Sequence, residues 1–98
     1  MSRPVVFRPQ AESELISASE WYDERSAQAG REFRADVETT IQLIGTQPEI
    51  FARIRGDIRH ALLRRFPYAI YFQILDDHIV ILAVMHGHRD PDVWRSRR

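Results

Sequence analysis

Arginine is concentrated in the second half of the chain, where its side chains are the main candidates for binding chemistry. Arg59, Arg64 and Arg65 precede Pro67, and Arg89 follows the last apolar run. Arg59 and Arg65 are six residues apart, so a regular strand through both would direct both side chains to one face. Guanidinium groups bind phosphates and carboxylates, so such a face predicts a basic binding surface. An ordinary solvated sheet face is the alternative that this pattern leaves open.

Histidine offers acid–base chemistry at one place near the end of the chain. His86, His88 and Asp90 have the spacing of a metal-binding fragment. A zinc site needs three or four ligands from defined elements, and the sequence contains no second cluster to complete one, so we predict no metal. His86 alone can act as a general acid or base because its ordinary pKa lies near neutrality. The alternative is a hydrogen-bonded histidine at the end of a buried strand.

Two aromatic residues are candidates for contact with a partner. Tyr71 lies in a run that is apolar on both faces, so it is either a core residue or an exposed stacking residue. Trp94 lies outside the periodic segments and either anchors the C-terminal tail or belongs to an interface. No glycine-rich phosphate loop and no Ser-His-Asp order occurs, so we expect no cofactor.

Composition limits the class of protein. The chain has 98 residues and no cysteine, so we predict one domain, 1–98, without disulfides and located in the cytoplasm. There is no cationic-then-apolar leader, and the longest apolar run, Ile79 to Met85, is far shorter than the roughly 20 residues that span a bilayer. The first fifty residues contain five arginines and nine acids, and the remainder nine arginines and five acids. No lysine is present, which removes one class of catalytic residue.

The periodicity of apolar residues predicts an α+β fold in the order β-α-α-β-β-β. A first strand at 5–7 is expected to join a sheet formed later, and two helices, about 9–25 and from a cap at Ser26 to Gly45, form an antiparallel hairpin. Arg53 to Arg55 leads through a turn into a strand at 58–66. Strands at 68–75 and 78–86 complete a three-stranded antiparallel sheet, followed by a short C-terminal extension with a brief helix around Val93 and Trp94.

The order of these elements and two motifs resemble the RelE/ParE superfamily of toxins, closer to the ParE-like branch. The stretch 61–72 contains Arg-Arg-Phe-Pro-Tyr, and the stretch 81–91 contains His-Gly-His-Arg-Asp-Pro, with Trp94 following. Both resemble the family's central strands. The stretch 11–15, Trp21-Tyr22, Phe33 and Pro48 resemble its helical hairpin, so the likeness covers nearly the whole chain.

The resemblance implies the toxin component of a type II toxin–antitoxin system that a cognate antitoxin neutralises in a hetero-oligomer. ParE-like members inhibit DNA gyrase by binding it, whereas RelE-like members cut mRNA on the ribosome. A gyrase inhibitor is favoured here because the lysines usual in the nucleases are missing. In a nuclease the resemblance would give catalytic roles to Arg59, Arg65 and His86. The residues expected to bind antitoxin or target are Arg59, Arg65, Tyr71, Arg89, Trp94 and Arg95.

Overall fold

Two helices precede a five-stranded sheet in the computed structural model, which describes residues 2–87. The elements are β1 (Val5–Phe7), α1 (Pro9–Arg25), α2 (Ala27–Thr46), a 3-10 helix (Pro48–Ile50), β2 (Arg53–Arg55), β3 (Ile58–Leu62), β4 (Tyr68–Ile74) and β5 (Ile79–His86). The predicted α+β class and the order of the elements are confirmed. The brief helix expected near Trp94 lies outside the described residues. Within residues 2–87, no helix has the length and apolar character needed to cross a membrane.

The helical hairpin is closed by side chains around its single-residue turn. Ser26 ends α1 and caps α2, because its hydroxyl accepts a hydrogen bond from the Ala29 N–H at 3.2 Å. Gly30 is buried against the Asp23 carboxylate, and a side chain at position 30 would overlap that carboxylate. Arg34 then pairs with Asp23 at 2.9 Å across the hairpin. These contacts hold the two helices side by side as predicted.

The sheet has the strand order β1-β5-β4-β3-β2 and is mixed. β1 pairs with β5 in parallel, which confirms that the first strand joins a sheet formed later, and the other pairings are antiparallel. The segment 53–55, predicted to lead into the next strand, is itself the edge strand β2. Gly56 permits this tight return because its φ of 54° lies in the left-handed region, which favours glycine.

Both faces of the sheet are buried, as the continuous apolar runs of the last two strands predict. On one face the helices pack against a core that includes Phe33, Ile44, Ile70, Phe72 and Ile81. Among the described residues, the cluster on the opposite face draws only on the sheet half of the chain. Its buried members are Ile58, Ala69, Tyr71, Val80, Leu82, Ala83 and Met85. A bulge in β5 places two successive residues, Leu82 and Ala83, in that cluster.

The strand predicted to run to Phe66 ends at Leu62 instead. From residue 63 to residue 67 the chain forms a connector between β3 and β4, defined here as Leu63 to Pro67. The connector leaves the ladder because two of its backbone N–H groups bond to a side chain of α2. The pattern of apolar and basic residues in this stretch predicts a strand, but the bonds to the α2 side chain give it a different conformation.

Candidate functional site

The connector is held in place by a buried carboxylate on α2. Asp36 is 8% exposed, and its two oxygens accept the backbone N–H groups of Arg64 at 3.3 Å and of Arg65 at 2.8 Å. Hydrogen bonds from backbone donors satisfy a charge that would otherwise be costly to bury. Backbone bonds also join Leu63 N–H to the Tyr68 carbonyl at 2.9 Å and Tyr68 N–H to the Phe66 carbonyl at 2.8 Å. The conformation of the connector is therefore determined at nearly every residue.

Apolar side chains attach the same connector to the core. The Phe66 ring packs edge-on against the rings of Tyr22 and Phe33, with centroids 4.8 and 5.4 Å apart. Leu63 is 7% exposed within the helix-side core. Edge-on aromatic contacts of this kind stabilise packing beyond the effect of the apolar area that they bury. Since every second or third residue points inward, the residues between them point out of the protein.

The solvent-facing side of the connector carries two arginines, and an exposed leucine lies next to them. Arg64 and Arg65 are exposed, and Leu62, at the end of β3, is 63% exposed. The Arg65 guanidinium lies 3.4 Å from the Glu32 carboxylate, in a pair whose side chains are 63% and 35% exposed. A cleft of about 450 Å³ lies where the connector meets α2. Its lining consists of Glu32, Ala35, Asp36, Thr39, Arg64 and Arg65.

Arg59 has a different environment from Arg65. Its guanidinium donates to the carbonyl of Phe51 at 2.7 Å and to that of Glu49 at 3.4 Å, which lie at the end of the 3-10 helix. Because β3 ends at Leu62, the regular strand that would direct Arg59 and Arg65 to one face does not extend to Arg65. The structure therefore bonds the two arginines to different elements.

Tyr71 belongs to the face of the sheet opposite the helices. It is 8% exposed, and burial raises the pKa of its hydroxyl. Its ring meets the His60 ring edge-on at a centroid distance of 6.0 Å, and burial lowers the pKa of His60. The structure thus places Tyr71 within a packed cluster at its sheet face.

His86 ends β5 beside α1. Its ring meets Tyr68 edge-on at 5.4 Å, and both residues line a cavity of about 290 Å³. Glu14 and Trp21 line the same cavity from α1. A carboxylate oxygen of Glu14 accepts the Val84 N–H at 3.0 Å, at a point on β5 beyond the reach of β1. Glu14 therefore substitutes for a neighbouring strand at this edge of the sheet.

The three residues considered for RNA cleavage lie in three separate surroundings. Arg59 bonds to the end of the 3-10 helix, Arg65 pairs with α2, and His86 packs against Tyr68. The described residues also hold no cluster of three or more histidine, cysteine or acidic side chains suited to a metal. The predicted binding residues Arg89, Trp94 and Arg95 lie outside the described residues. What residues 2–87 do provide is an exposed pair of arginines on a hydrogen-bonded backbone, suited to binding anionic groups.

Sequence reasoning missed the residues that position this pair. Asp36 lies in the apolar stripe of α2, between Phe33 and Thr40 at helical spacing. An acidic residue inside such a stripe indicates a buried carboxylate that needs donors, and this signal was available from the sequence. Nothing in the sequence pattern pairs Glu32 with Arg65 or Glu14 with Val84, because these contacts depend on how the hairpin packs.

Comparisons with known proteins agree with this fold. A family model described as the ParE toxin of the type II toxin–antitoxin system parDE matches residues 5–91. Toxin ParE2 of Mycobacterium tuberculosis, matched in two strains, is 31% identical over 93 residues, which cover 94% of this chain and 89% of the relative. A solved chain of the chromosomal ParDE system from P. aeruginosa superimposes with a TM-score of 0.74 over 87% of this chain and 96% of that chain; its 16% identity supports the fold alone. The family match spans both helices and all five strands, and the chain belongs to the ParE toxin family of type II toxin–antitoxin systems.

Proposed function

We propose that this toxin acts in the cytoplasm by binding and inhibiting DNA gyrase, and that its antitoxin neutralises it in a heteromeric complex. Membership of the ParE family gives the chain the role of a toxin with a cognate antitoxin as partner. The finer choice of target rests on the chemistry of the chain itself.

One observation carries the choice of a binding mechanism over RNA cleavage. Attack by a 2′-hydroxyl needs a base, an acid and a cation around one phosphate in the transition state. Among the described residues, Arg59 bonds to the end of the 3-10 helix, Arg65 pairs with Glu32 of α2, and His86 packs against Tyr68, so the three side chains have different neighbours. Lysine, a frequent cation in such sites, is absent from the whole sequence. A toxin that binds its target needs none of this chemistry.

The direct test is supercoiling of relaxed plasmid by purified gyrase and ATP in the presence of the purified toxin. We expect supercoiling to fall as toxin is added and to recover when the cognate antitoxin is added. Undiminished supercoiling at toxin concentrations that stop growth would overturn the proposal.

Cleavage of mRNA on ribosomes is the second candidate, and one cavity favours it. Glu14, Tyr68 and His86 line the same space, so acid–base groups do converge there. Among residues 2–87 no arginine lines that cavity, and Glu14 already accepts the Val84 N–H. In a translation extract programmed with a defined mRNA, this candidate predicts cleavage that His86→Gln abolishes. Intact mRNA with wild-type toxin would remove it.

A further inference from the structure

We propose that the arginine pair of the connector is a docking site for an acidic segment of the antitoxin, and that Glu32 occupies this site in the free toxin. Arg64 and Arg65 would bind the carboxylates of that segment, and Asp36 is the positioning residue that holds both arginines in place. The inference rests on the proposed function in so far as an antitoxin binds this toxin, but it does not depend on which target the toxin inhibits.

The site is organised before any partner arrives. Asp36 fixes the backbone at Arg64 and Arg65, and the Gly87 N–H donates to the Pro67 carbonyl at 2.7 Å, which fixes the end of the connector. A partner therefore meets two guanidinium groups on a settled backbone and does not bear the entropic cost of ordering a loop. Planar guanidinium groups of this kind are suited to carboxylates.

The structure already contains a carboxylate at the proposed docking position. Glu32 lies 3.4 Å from a terminal nitrogen of Arg65, and the same carboxylate accepts the Gln28 amide at 3.0 Å. Exposed ion pairs of this length stabilise a protein very little, so a partner carboxylate can displace Glu32 at small cost. Glu32 is thus an internal competitor for Arg65.

Charge in the surrounding hairpin favours a short acidic peptide over a nucleic acid. Residues 9–46, which form both helices, contain eight acids and three arginines. A duplex with phosphates along its whole length would meet this negative surface on the helix side of the cleft. A peptide with one or two carboxylates can bind the arginines and place an apolar side chain on Leu62, which is 63% exposed.

Glutamate substitutions on α2 give the sharpest test. Removing the competitor with Glu32→Gln should tighten binding of purified cognate antitoxin about threefold, the fold-change expected for release of an exposed ion pair. Glu38→Gln makes the same charge change at another exposed position of α2 and should leave the affinity unchanged. In an Arg65→Ala background, Glu32→Gln should have no effect, because the competed group is gone.

Substitution of the two arginines should change antitoxin affinity more than Glu32→Gln does. Arg64→Ala combined with Arg65→Ala should weaken antitoxin binding by about tenfold or more and reduce its dependence on salt. The paired control is Arg53→Ala with Arg55→Ala, which removes two exposed arginines from the edge strand β2. Equal weakening by both double variants would show a general charge effect and overturn the proposal. Weaker antitoxin binding by Glu32→Gln would also overturn it. So would a toxin that binds a DNA duplex and loses this binding in the Arg64→Ala, Arg65→Ala variant while its affinity for the antitoxin is unchanged.

Asp36 needs a measurement that separates positioning from stability. Asp36→Asn should weaken antitoxin binding in the wild-type background and have little further effect once Arg64 and Arg65 are both alanine. An equal loss in both backgrounds would mean that Asp36 acts only on the fold. Gyrase supercoiling, measured without antitoxin, is run in parallel on each variant. If gyrase is unaffected by every form of the toxin, the proposed target is wrong while the affinity results still decide the docking site.

Discussion

Two segments, one before β2 and one after β3, are each held by one charged side chain, with opposite polarity. Before β3, the Arg59 guanidinium donates to the carbonyls of Glu49 and Phe51. After β3, the Asp36 carboxylate accepts from the N–H groups of Arg64 and Arg65. A cation binds carbonyl oxygens and an anion binds backbone hydrogens, as hydrogen-bond chemistry requires. The difference is that Arg59 holds the first segment with its own side chain, whereas Arg64 and Arg65 are held through their backbone and keep exposed side chains.

This difference shows that charge in the sequence has more than one use in the fold. Arg59 is an anchor, while Arg65 is displayed, although both are arginines of the basic half. In the helical hairpin, Arg34 pairs with Asp23 and the Arg25 guanidinium lies 3.4 Å from the centroid of the Trp21 ring. Arg59 of the basic half and Arg34 of the hairpin are therefore both engaged within the fold, so counting arginines overstates the number of cations free to bind a partner.

Loss of the Asp36 anchor should have the largest effect on stability. Asp36→Ala removes two charge-assisted hydrogen bonds and leaves two backbone N–H groups without their acceptor, so we expect a loss of about 3 kcal/mol in the free energy of unfolding. Urea denaturation measures it, with Glu38→Ala as an exposed control on the same helix. Faster amide hydrogen exchange at Arg64 and Arg65, beyond that of β4, should accompany the loss. A loss of unfolding free energy smaller than that of Glu38→Ala would mean that the connector keeps its conformation without Asp36.

The anchor before β3 should matter less. Arg59→Ala removes one good hydrogen bond at 2.7 Å and one long, exposed contact at 3.4 Å, so we expect a loss of about 1 to 2 kcal/mol. The Arg53→Ala variant, at an exposed position of β2, is the control for removal of a nearby positive charge. If Arg59→Ala destabilised the protein more than Asp36→Ala, the ranking of the two anchors would be reversed.

A displayed arginine should contribute almost nothing to folding. Arg65→Ala removes only an exposed ion pair of 3.4 Å, and we expect its free energy of unfolding to stay within about 0.5 kcal/mol of wild type. Thermal and urea unfolding both measure this. A cost close to that of Arg59→Ala would erase the distinction between anchor and displayed charge.

The smallest effect should come from His60, a titratable group on the sheet face that holds neither segment. Burial lowers its pKa in the folded state, so below the ordinary value of about 6.5 the unfolded chain binds a proton more readily than the folded one. Stability should therefore decrease as the pH falls through about 6.5. His60→Gln should make the profile flatter between about pH 7.5 and 5.5. An unchanged slope in that variant would assign the pH dependence to other groups.

The helices and strands were largely predictable, and the point of failure is informative. Pro9, Ser26 and the apolar stripe of α2 predicted the hairpin, because local capping and periodicity determine helix ends. The strand predicted over residues 58–66 ends at Leu62, because the N–H groups of Arg64 and Arg65 bond to the Asp36 carboxylate and not to a neighbouring strand. Edge strand β2 was missed because Arg53-Ile54-Arg55 is charged at two of its three positions and lacks the β-branched and aromatic composition that marks the equally short β1.

By itself, the sequence determined the order of elements, the likeness to a toxin family and the absence of lysine and cysteine, because these depend on composition and on neighbours a few residues apart. Only the tertiary structure decided which arginines are anchors and which are displayed. That role depends on the backbone groups within hydrogen-bond distance of each charge, and for Asp36 these lie 28 and 29 residues further along the chain. The charge pattern alone does not show which backbone groups lie near each charge, because the packing of α2 against the connector brings them together.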